Sequence, residues 1–193
     1  YASNRIEQQL FPEDWPDTHE SSYKSYKRIA KTKYEEPLCT HADHFNTNWA
    51  YGTASYSKGA VILDQLSHIV GQDILDRSLL RYFKEWSFKH PNASNFKRIV
   101  ERESGIELDW YFDYFVNTTK TIDYAISEFS STKNGSRILL NKGEMPMPIE
   151  LEVVLTNGDH LLYYIPTVLM RGEKEIEATT TQLKDWAWTN PTY

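Results

Sequence analysis

Two tyrosines stand five residues apart just before the most apolar stretch of the chain. The segment reads Tyr51-Gly-Thr-Ala-Ser-Tyr56-Ser-Lys-Gly-Ala and continues into Val-Ile-Leu-Asp-Gln-Leu. The apolar pattern predicts a buried helix from about Ser55 to Val70 that ends at Gly71, a natural C-cap. A phenol at the start of such a helix can point its neutral hydroxyl into a cleft as a hydrogen-bond donor. A tyrosine in that position more often packs against its neighbours, so position alone leaves both interpretations of Tyr56 open.

A second group of candidate residues lies in the long loop predicted between Leu38 and Asn48. It contains His41, Asp43 and His44. Two histidines and an aspartate this close together can bind Zn²⁺, but a helical zinc pair has its histidines four residues apart and these are three apart. We therefore expect a hydrogen-bonded loop near a cleft rather than a metal site. A loop of this length inside a compact domain is usually functional.

Cys39 lies in the same loop and is the single cysteine of the chain. One cysteine excludes a disulfide within the chain. No helix is predicted to begin behind Cys39, so no helix N-terminus lowers the pKa of its thiol. We expect an ordinary thiol and not a nucleophile.

Composition restricts the partners of the chain. Of its 193 residues, 40% are hydrophobic and 14% aromatic, which is enough for a core. There are 27 acidic and 21 basic residues, and the formal net charge of −6 argues against a nucleic-acid partner. No apolar run has the length of a transmembrane segment. No signal peptide is recognisable either, but this tells little because the chain begins at Tyr1 and not at a methionine.

The periodicity of the chain changes near residue 121, from a helical period to a period of two. Before this point the apolar spacing and the capping residues predict helices, and beyond it Asn134-Gly135 and Asn157-Gly158 mark two β-hairpins. Besides the helix after Tyr56, helices are predicted at 2–10, 18–34, 73–86, from the Ser94 cap to Gly105, and at 109–116. Strands are predicted at 126–131, 137–140, 149–155 and 161–168.

These elements predict an α+β chain in two parts. An α-helical subdomain covers residues 1–121, and an antiparallel β-sandwich-like domain covers residues 122–193. The residues Thr189-Asn-Pro-Thr-Tyr193 are typical of a segment that precedes another strand. We therefore expect the β domain to be truncated.

The stretch from Tyr51 to Gly71 resembles the tyrosine motif of the aminopeptidase N-like zinc metallopeptidases. It has the tyrosine, the lysine, the glycine, the apolar helix and the Val-Gly end of that motif. Ser104-Gly105 followed by an aromatic helix resembles a later pattern of the same family. Phe-Lys-His-Pro at 88–91 and Thr-Ile-Asp-Tyr at 121–124 resemble its bacterial branch. The resemblance covers residues 1–125 well and 126–193 loosely.

The resemblance implies the C-terminal helical half of a thermolysin-like catalytic domain and a zinc-dependent aminopeptidase that removes N-terminal residues from peptides. It assigns Tyr56 as the catalytic donor that stabilises the oxyanion of the tetrahedral intermediate. It places Tyr51 in the substrate pocket, where a purely packing role is an equal alternative. The loop from Cys39 to Asn48 would help to form the substrate cleft.

The zinc motif of that family, His-Glu-x-x-His, does not occur in this chain. The resemblance places the three zinc ligands and the general-base glutamate just upstream of Tyr1. Zinc is therefore expected in the full-length enzyme, and this chain alone is expected to be inactive. Its expected partners are peptide substrates and the N-terminal remainder of its own polypeptide. Bacterial relatives are often exported, which favours a periplasmic or exported location.

A second class of function stays open. Some relatives of this family have lost the zinc site and serve as non-catalytic scaffolds or protein-interaction modules. In such a protein Tyr56 would have no catalytic role, and the aromatic surface would bind protein partners. An intact or a degenerate zinc motif upstream of Tyr1 separates these two interpretations.

Overall fold

The computed structural model describes residues 1–14, 17–133 and 135–167. Helices occupy the first part of the chain and antiparallel strands follow, so the predicted α+β class is confirmed. The chain divides into two compact units between Thr119 and Lys120.

Seven α-helices form the described part of the first unit, together with two short helical turns of other kinds. A 3₁₀ turn spans Ala42–His44 in the predicted loop, and a π-helical turn spans Thr53–Lys58. The α-helices are α1 (Ala2–Leu10), α2 (Glu20–Ala30), α3 (Asn48–Gly52), α4 (Gly59–Val70), α5 (Gln72–Trp86), α6 (Ala93–Ser104) and α7 (Asp109–Phe115).

The core of this unit forms around α4, which is apolar over most of its circumference, as predicted. Leu66 of α4 is fully buried, as are Leu75 of α5 and Tyr111 of α7. The Tyr111 hydroxyl donates a 2.6 Å hydrogen bond to the carbonyl oxygen of Ile62. A buried hydroxyl without a hydrogen-bond partner would destabilise the fold. This bond gives the hydroxyl of the large buried Tyr111 ring its partner. Because α5 and α7 both pack here, α4 is held on several sides.

The ends of two helices differ from the sequence prediction. α2 begins at Glu20 rather than Thr18, because the Asp17 carboxylate accepts the backbone N–H of His19 at 3.0 Å in a turn before the helix. It ends at Ala30 rather than Tyr34, because both the N–H and the hydroxyl of Thr32 donate to the Ile29 carbonyl at 2.8 Å.

The N-cap of α6 is Asn92 and not the predicted Ser94. The Asn92 side chain accepts the N–H of Asn95 at 3.1 Å, and the Asn95 side chain accepts the N–H of Asn92 at 2.8 Å. This reciprocal arrangement satisfies two backbone donors at once. At the other end Gly105 has a φ of 72°, a left-handed conformation that glycine adopts without a Cβ clash.

The second unit contains the two predicted hairpins. β1 (Ile122–Thr132) pairs with β2 (Gly135–Gly143), and β3 (Ile149–Val154) pairs with β4 (His160–Ile165). Gly158 has a φ of 87° in the second turn, as the Asn-Gly signal requires. In the described residues each hairpin is a separate two-stranded sheet.

Some predicted features of the second unit lie outside the described residues. These are Asn134 of the first hairpin turn, the predicted strand end at Val168 and the final stretch from Thr189 to Tyr193. The β-sandwich and its truncation therefore stay predictions. In the described part of the chain, no helix is both long enough and apolar enough to cross a bilayer.

Candidate functional site

Tyr56 lies within a helix and not at its N-terminus, which corrects the sequence prediction. The helix begins at Asn48, because the Thr47 side chain accepts the N–H of Ala50 at 3.0 Å as an N-cap. Gly52 keeps right-handed helical backbone angles, so the chain continues through the π-helical turn into α4 without a break. The predicted start at Ser55 was therefore seven residues late.

The π-helical turn changes which residues share a side of this helix. The N–H of Gly59 donates to the carbonyl oxygen of Ala54, five residues earlier. In an α-helix, residues five apart point about 140° away from each other, since each residue turns by about 100°. A turn with five-residue hydrogen bonds brings such residues back towards the same side. Tyr56 lies within this wider turn, and Tyr51 lies just before it in α3.

The side chain of Tyr56 is free to meet a ligand. Tyr56 is 75% exposed, while Thr53, Ala54 and Lys58 of the same turn are buried. In the described residues its hydroxyl makes no hydrogen bond, unlike the buried Tyr111 hydroxyl. An exposed phenol with an unused donor, on a turn anchored from the opposite side, can donate to an acceptor that arrives from solution.

Tyr51 is 40% exposed, so it is accessible but partly packed. Its ring meets the ring of Phe45 edge to face, with the centroids 5.6 Å apart. Phe45 belongs to the loop that was predicted to help form a cleft. The same loop is tied at Asn46, whose N–H and side-chain amide both donate to the Glu36 carboxylate at 2.9 Å. Tyr51 therefore has both the exposure of a pocket residue and the contact of a packing residue.

The loop histidines lie close together on the surface. The rings of His41 and His44 are 5.3 Å apart, and His41 Nδ1 accepts the N–H of Asp43 at 3.3 Å. This is the hydrogen-bonded loop that the sequence predicted. In the described residues no group of three potential metal ligands includes either histidine. Cys39 is exposed, and its N–H donates to the Val116 carbonyl at 3.1 Å.

One cluster in the described residues brings three carboxylates together, namely Glu101, Glu107 and Asp109. Glu101 accepts the N–H of Leu108 at 2.9 Å, and Glu107 accepts the N–H of Asp109 at 2.8 Å. Zinc prefers histidine and cysteine ligands in a tetrahedral set. This oxygen-only cluster, already used to shape the turn before α7, does not fit zinc. The described residues thus provide no zinc site.

A buried ion pair on the inner side of the π-helical turn was not predicted from the sequence. Lys58 is 1% exposed, and its Nζ donates to the Glu35 carboxylate at 2.7 Å and to the Thr118 carbonyl at 3.1 Å. It also lies over the Tyr26 ring, 5.6 Å from the centroid. Burying ions costs several kcal/mol each unless they are paired and hydrogen-bonded, as they are here. The sequence shows only a lysine near the start of an apolar helix. Such a lysine can be buried or exposed, so the sequence does not predict the ion pair.

A second buried polar network connects α2 to α4, and it too was missed. The Tyr23 hydroxyl donates to the Asp64 carboxylate at 2.8 Å, and His19 Nε2 lies 3.7 Å from the same carboxylate. Burial lowers the pKa of His19, although the Asp64 charge acts in the opposite direction. The Tyr1 ring stacks on His19 with centroids 5.0 Å apart. Scattered histidines gave no signal in the sequence, because the partners are far apart along the chain.

The family comparison covers most of the helical part of the chain. Residues 1–115 match the Peptidase family M1 domain. The match covers more than half of the 193 residues, and the chain belongs to peptidase family M1. The match supports the hydrolase and metallopeptidase class that the resemblance predicted. No solved structure matches the chain significantly.

Proposed function

We propose that this chain is the part of a zinc-dependent aminopeptidase that supplies the oxyanion-stabilising tyrosine and one wall of the substrate cleft. The observation that carries the proposal is the setting of Tyr56. It is an exposed phenol, without a hydrogen bond in the described residues, on a π-helical turn whose other side is buried. Helical turns of this kind are frequent at functional sites.

The chemistry of peptide hydrolysis gives this phenol its role. When water adds to the peptide carbonyl, the carbon becomes tetrahedral and the oxygen gains negative charge. The Tyr56 hydroxyl donates a hydrogen bond to that oxygen, and the bond is stronger in the transition state than in the bound substrate. Tyrosine suits this task because its hydroxyl is neutral near pH 7 and its ring is stiff.

The substrate is proposed to lie against the outer side of the same helix. Tyr51, five residues before Tyr56, packs edge to face on Phe45, and the two rings offer an aromatic surface. Such a surface binds side chains or backbone of a peptide through apolar contact.

Zinc is proposed for the full-length enzyme, on ligands upstream of Tyr1, as the resemblance implies. Bound there, it would act as a Lewis acid on the peptide carbonyl and on water. The alternative function is a non-catalytic scaffold, in which the same aromatic surface binds a protein partner. The two functions make different predictions for the Tyr56 hydroxyl.

The test is a comparison of two deletions of one oxygen atom in the full-length protein. Tyr56→Phe keeps the ring but removes the donor, so kcat for an N-terminal peptide substrate should fall about 10²–10³-fold with little change in KM. Tyr51→Phe is the matched control, and it should lower kcat far less. Steady-state kinetics on both variants checks this.

Normal turnover in Tyr56→Phe, or equal losses in the two variants, would exclude the catalytic role of Tyr56. A full-length protein that hydrolyses no peptide at all would favour the scaffold instead. Thermal unfolding of both variants should remain close to that of the parent protein, because Tyr56 is exposed and packs little.

A further inference from the structure

Lys58 is a charged group that the proposed chemistry does not use. Its amino group is enclosed by three contacts from three parts of the fold: the Tyr26 ring of α2, the Glu35 carboxylate after α2, and the Thr118 carbonyl after α7. The Glu35 side chain is itself only 6% exposed. A pair that gives up this much hydration is held in one geometry by its hydrogen bonds.

The position of Lys58 on the helix connects this pair to Tyr56. Lys58 is the last residue of the π-helical turn, and Tyr56 lies two residues before it. The two side chains point to opposite sides of the turn, since Lys58 is 1% exposed and Tyr56 is 75% exposed. With Lys58 fixed inward by its three partners, Tyr56 must point outward.

The π-helical turn needs such an anchor. A single π turn is a rare departure from the α-helix and persists where the surrounding structure holds it. In this turn the N–H of Gly59, the residue next to Lys58, makes the bond to Ala54 that spans five residues. A loose Lys58 would let the turn relax and rotate Tyr56 relative to its surroundings.

We propose that Lys58 is a positioning residue for Tyr56, and that its buried ion pair with Glu35 holds the π-helical turn in the register that directs the Tyr56 hydroxyl outward. This rests on the proposed catalytic role of Tyr56. Lys58 itself touches no substrate. Its contribution to the rate acts through the placement of the Tyr56 donor, where a shift of about 1 Å is worth up to about 10²-fold.

The experiment is a double-mutant cycle in the full-length enzyme with Lys58→Met, Tyr56→Phe and the double variant. Lys58→Met keeps the volume of the side chain and removes its charge. It should lower kcat about 10- to 100-fold with little change in KM. In the Tyr56→Phe background the same change should lower kcat by less than about threefold, because the hydroxyl it would misplace is already gone.

The cycle separates failure of this inference from failure of the proposed function. A Tyr56→Phe enzyme with normal kcat overturns the catalytic role of Tyr56. The positioning role of Lys58 is overturned if Lys58→Met has normal kcat. It is also overturned if Tyr56→Phe is impaired and the kcat loss of the double variant equals the product of the two single losses.

Two further variants exclude a general loss of stability. Leu75→Ala removes a fully buried side chain of a different helix, α5. At a similar loss of Tm it should leave kcat of the folded enzyme unchanged, and a kcat loss equal to that of Lys58→Met would contradict the positioning role. If Lys58→Met does not fold, the double change Lys58→Met with Glu35→Leu removes both charges together and should fold. It should show the same loss of kcat, and normal kcat there would also overturn the inference.

Discussion

Three tyrosines of this chain show how the surroundings of a residue decide what its hydroxyl does. Tyr111 is fully buried, and burial raises its pKa well above the usual value. Its hydroxyl donates a hydrogen bond to the Ile62 carbonyl. The Tyr23 hydroxyl donates a hydrogen bond to the Asp64 carboxylate. Tyr56 is exposed, and in the described residues its donor is unused. Of these three hydroxyls, that of Tyr56 is the one left free to bind an acceptor that arrives from solution.

His19 gives a prediction on pH at the scale of one residue. Its pKa is lowered in the folded state, chiefly by burial, whereas an unfolded histidine titrates near about 6.5. Between these two values the unfolded chain binds more protons, so the free energy of unfolding should fall as the pH falls below about 6.5. His19→Gln should show a smaller loss of stability between about pH 7.5 and pH 5.

The measurement is denaturant unfolding of the parent protein and His19→Gln at both pH values. His68→Gln is the matched control, because His68 is exposed on α4. It should leave the pH dependence unchanged. A His19→Gln protein with the same pH dependence as its parent would show that the buried ring is not the group that titrates.

The helices also allow a prediction at the scale of an element. Asn92→Ala removes the reciprocal cap of α6 and should lower the free energy of unfolding by about 1 kcal/mol. Asn92→Ser keeps an acceptor for the N–H of Asn95 and should recover most of this loss. Denaturant unfolding of the two variants checks it. Equal stability of Asn92→Ala and the parent would mean that the N-terminus of α6 is held by its packing alone.

The sequence predicted those elements whose signals are local. Three features depend on only a few neighbouring residues, and all three occur as predicted. They are the apolar pattern of α4, its end at Gly71 and the turn at Asn157-Gly158. The α2 ends and the α6 cap were missed by a few residues, because Thr32 and Asn95 compete for backbone groups in ways that composition does not reveal.

The π-helical turn could not be predicted, because its anchor is not local. Lys58 binds Glu35, 23 residues earlier, and Thr118, 60 residues later. The local pattern placed Tyr56 at a helix start, whereas it lies inside a continuous helix. The same is true of His19 and Asp64, which only the packing of α2 on α4 brings together.

At the scale of the whole molecule, the family match covers the first of the two compact units and not the second. The match ends at residue 115, inside the unit that ends at Thr119. The strands of the second unit lie beyond the match, so their assignment to a β-sandwich-like domain rests on the sequence pattern and stays a prediction. The proposed catalytic residue, Tyr56, lies in the helical unit.

Within that unit the proposed site is one side of a larger active site. The described residues offer a hydrogen-bond donor and an aromatic surface, but no set of ligands that suits zinc. We propose that Tyr56 contributes to transition-state stabilisation together with zinc ligands and a general base outside this chain. In this proposal the Tyr56 hydroxyl recognises the developing oxyanion and not the substrate.

The most direct measurement compares two non-hydrolysable peptide analogues on the full-length enzyme and its Tyr56→Phe variant. One carries a tetrahedral, anionic phosphinate in place of the scissile amide, and the other a planar, uncharged alkene. We predict that Tyr56→Phe weakens phosphinate binding about 10²–10³-fold, in step with kcat, and alkene binding by no more than about twofold. Equal weakening of both analogues, or unchanged affinity for the phosphinate, would contradict it.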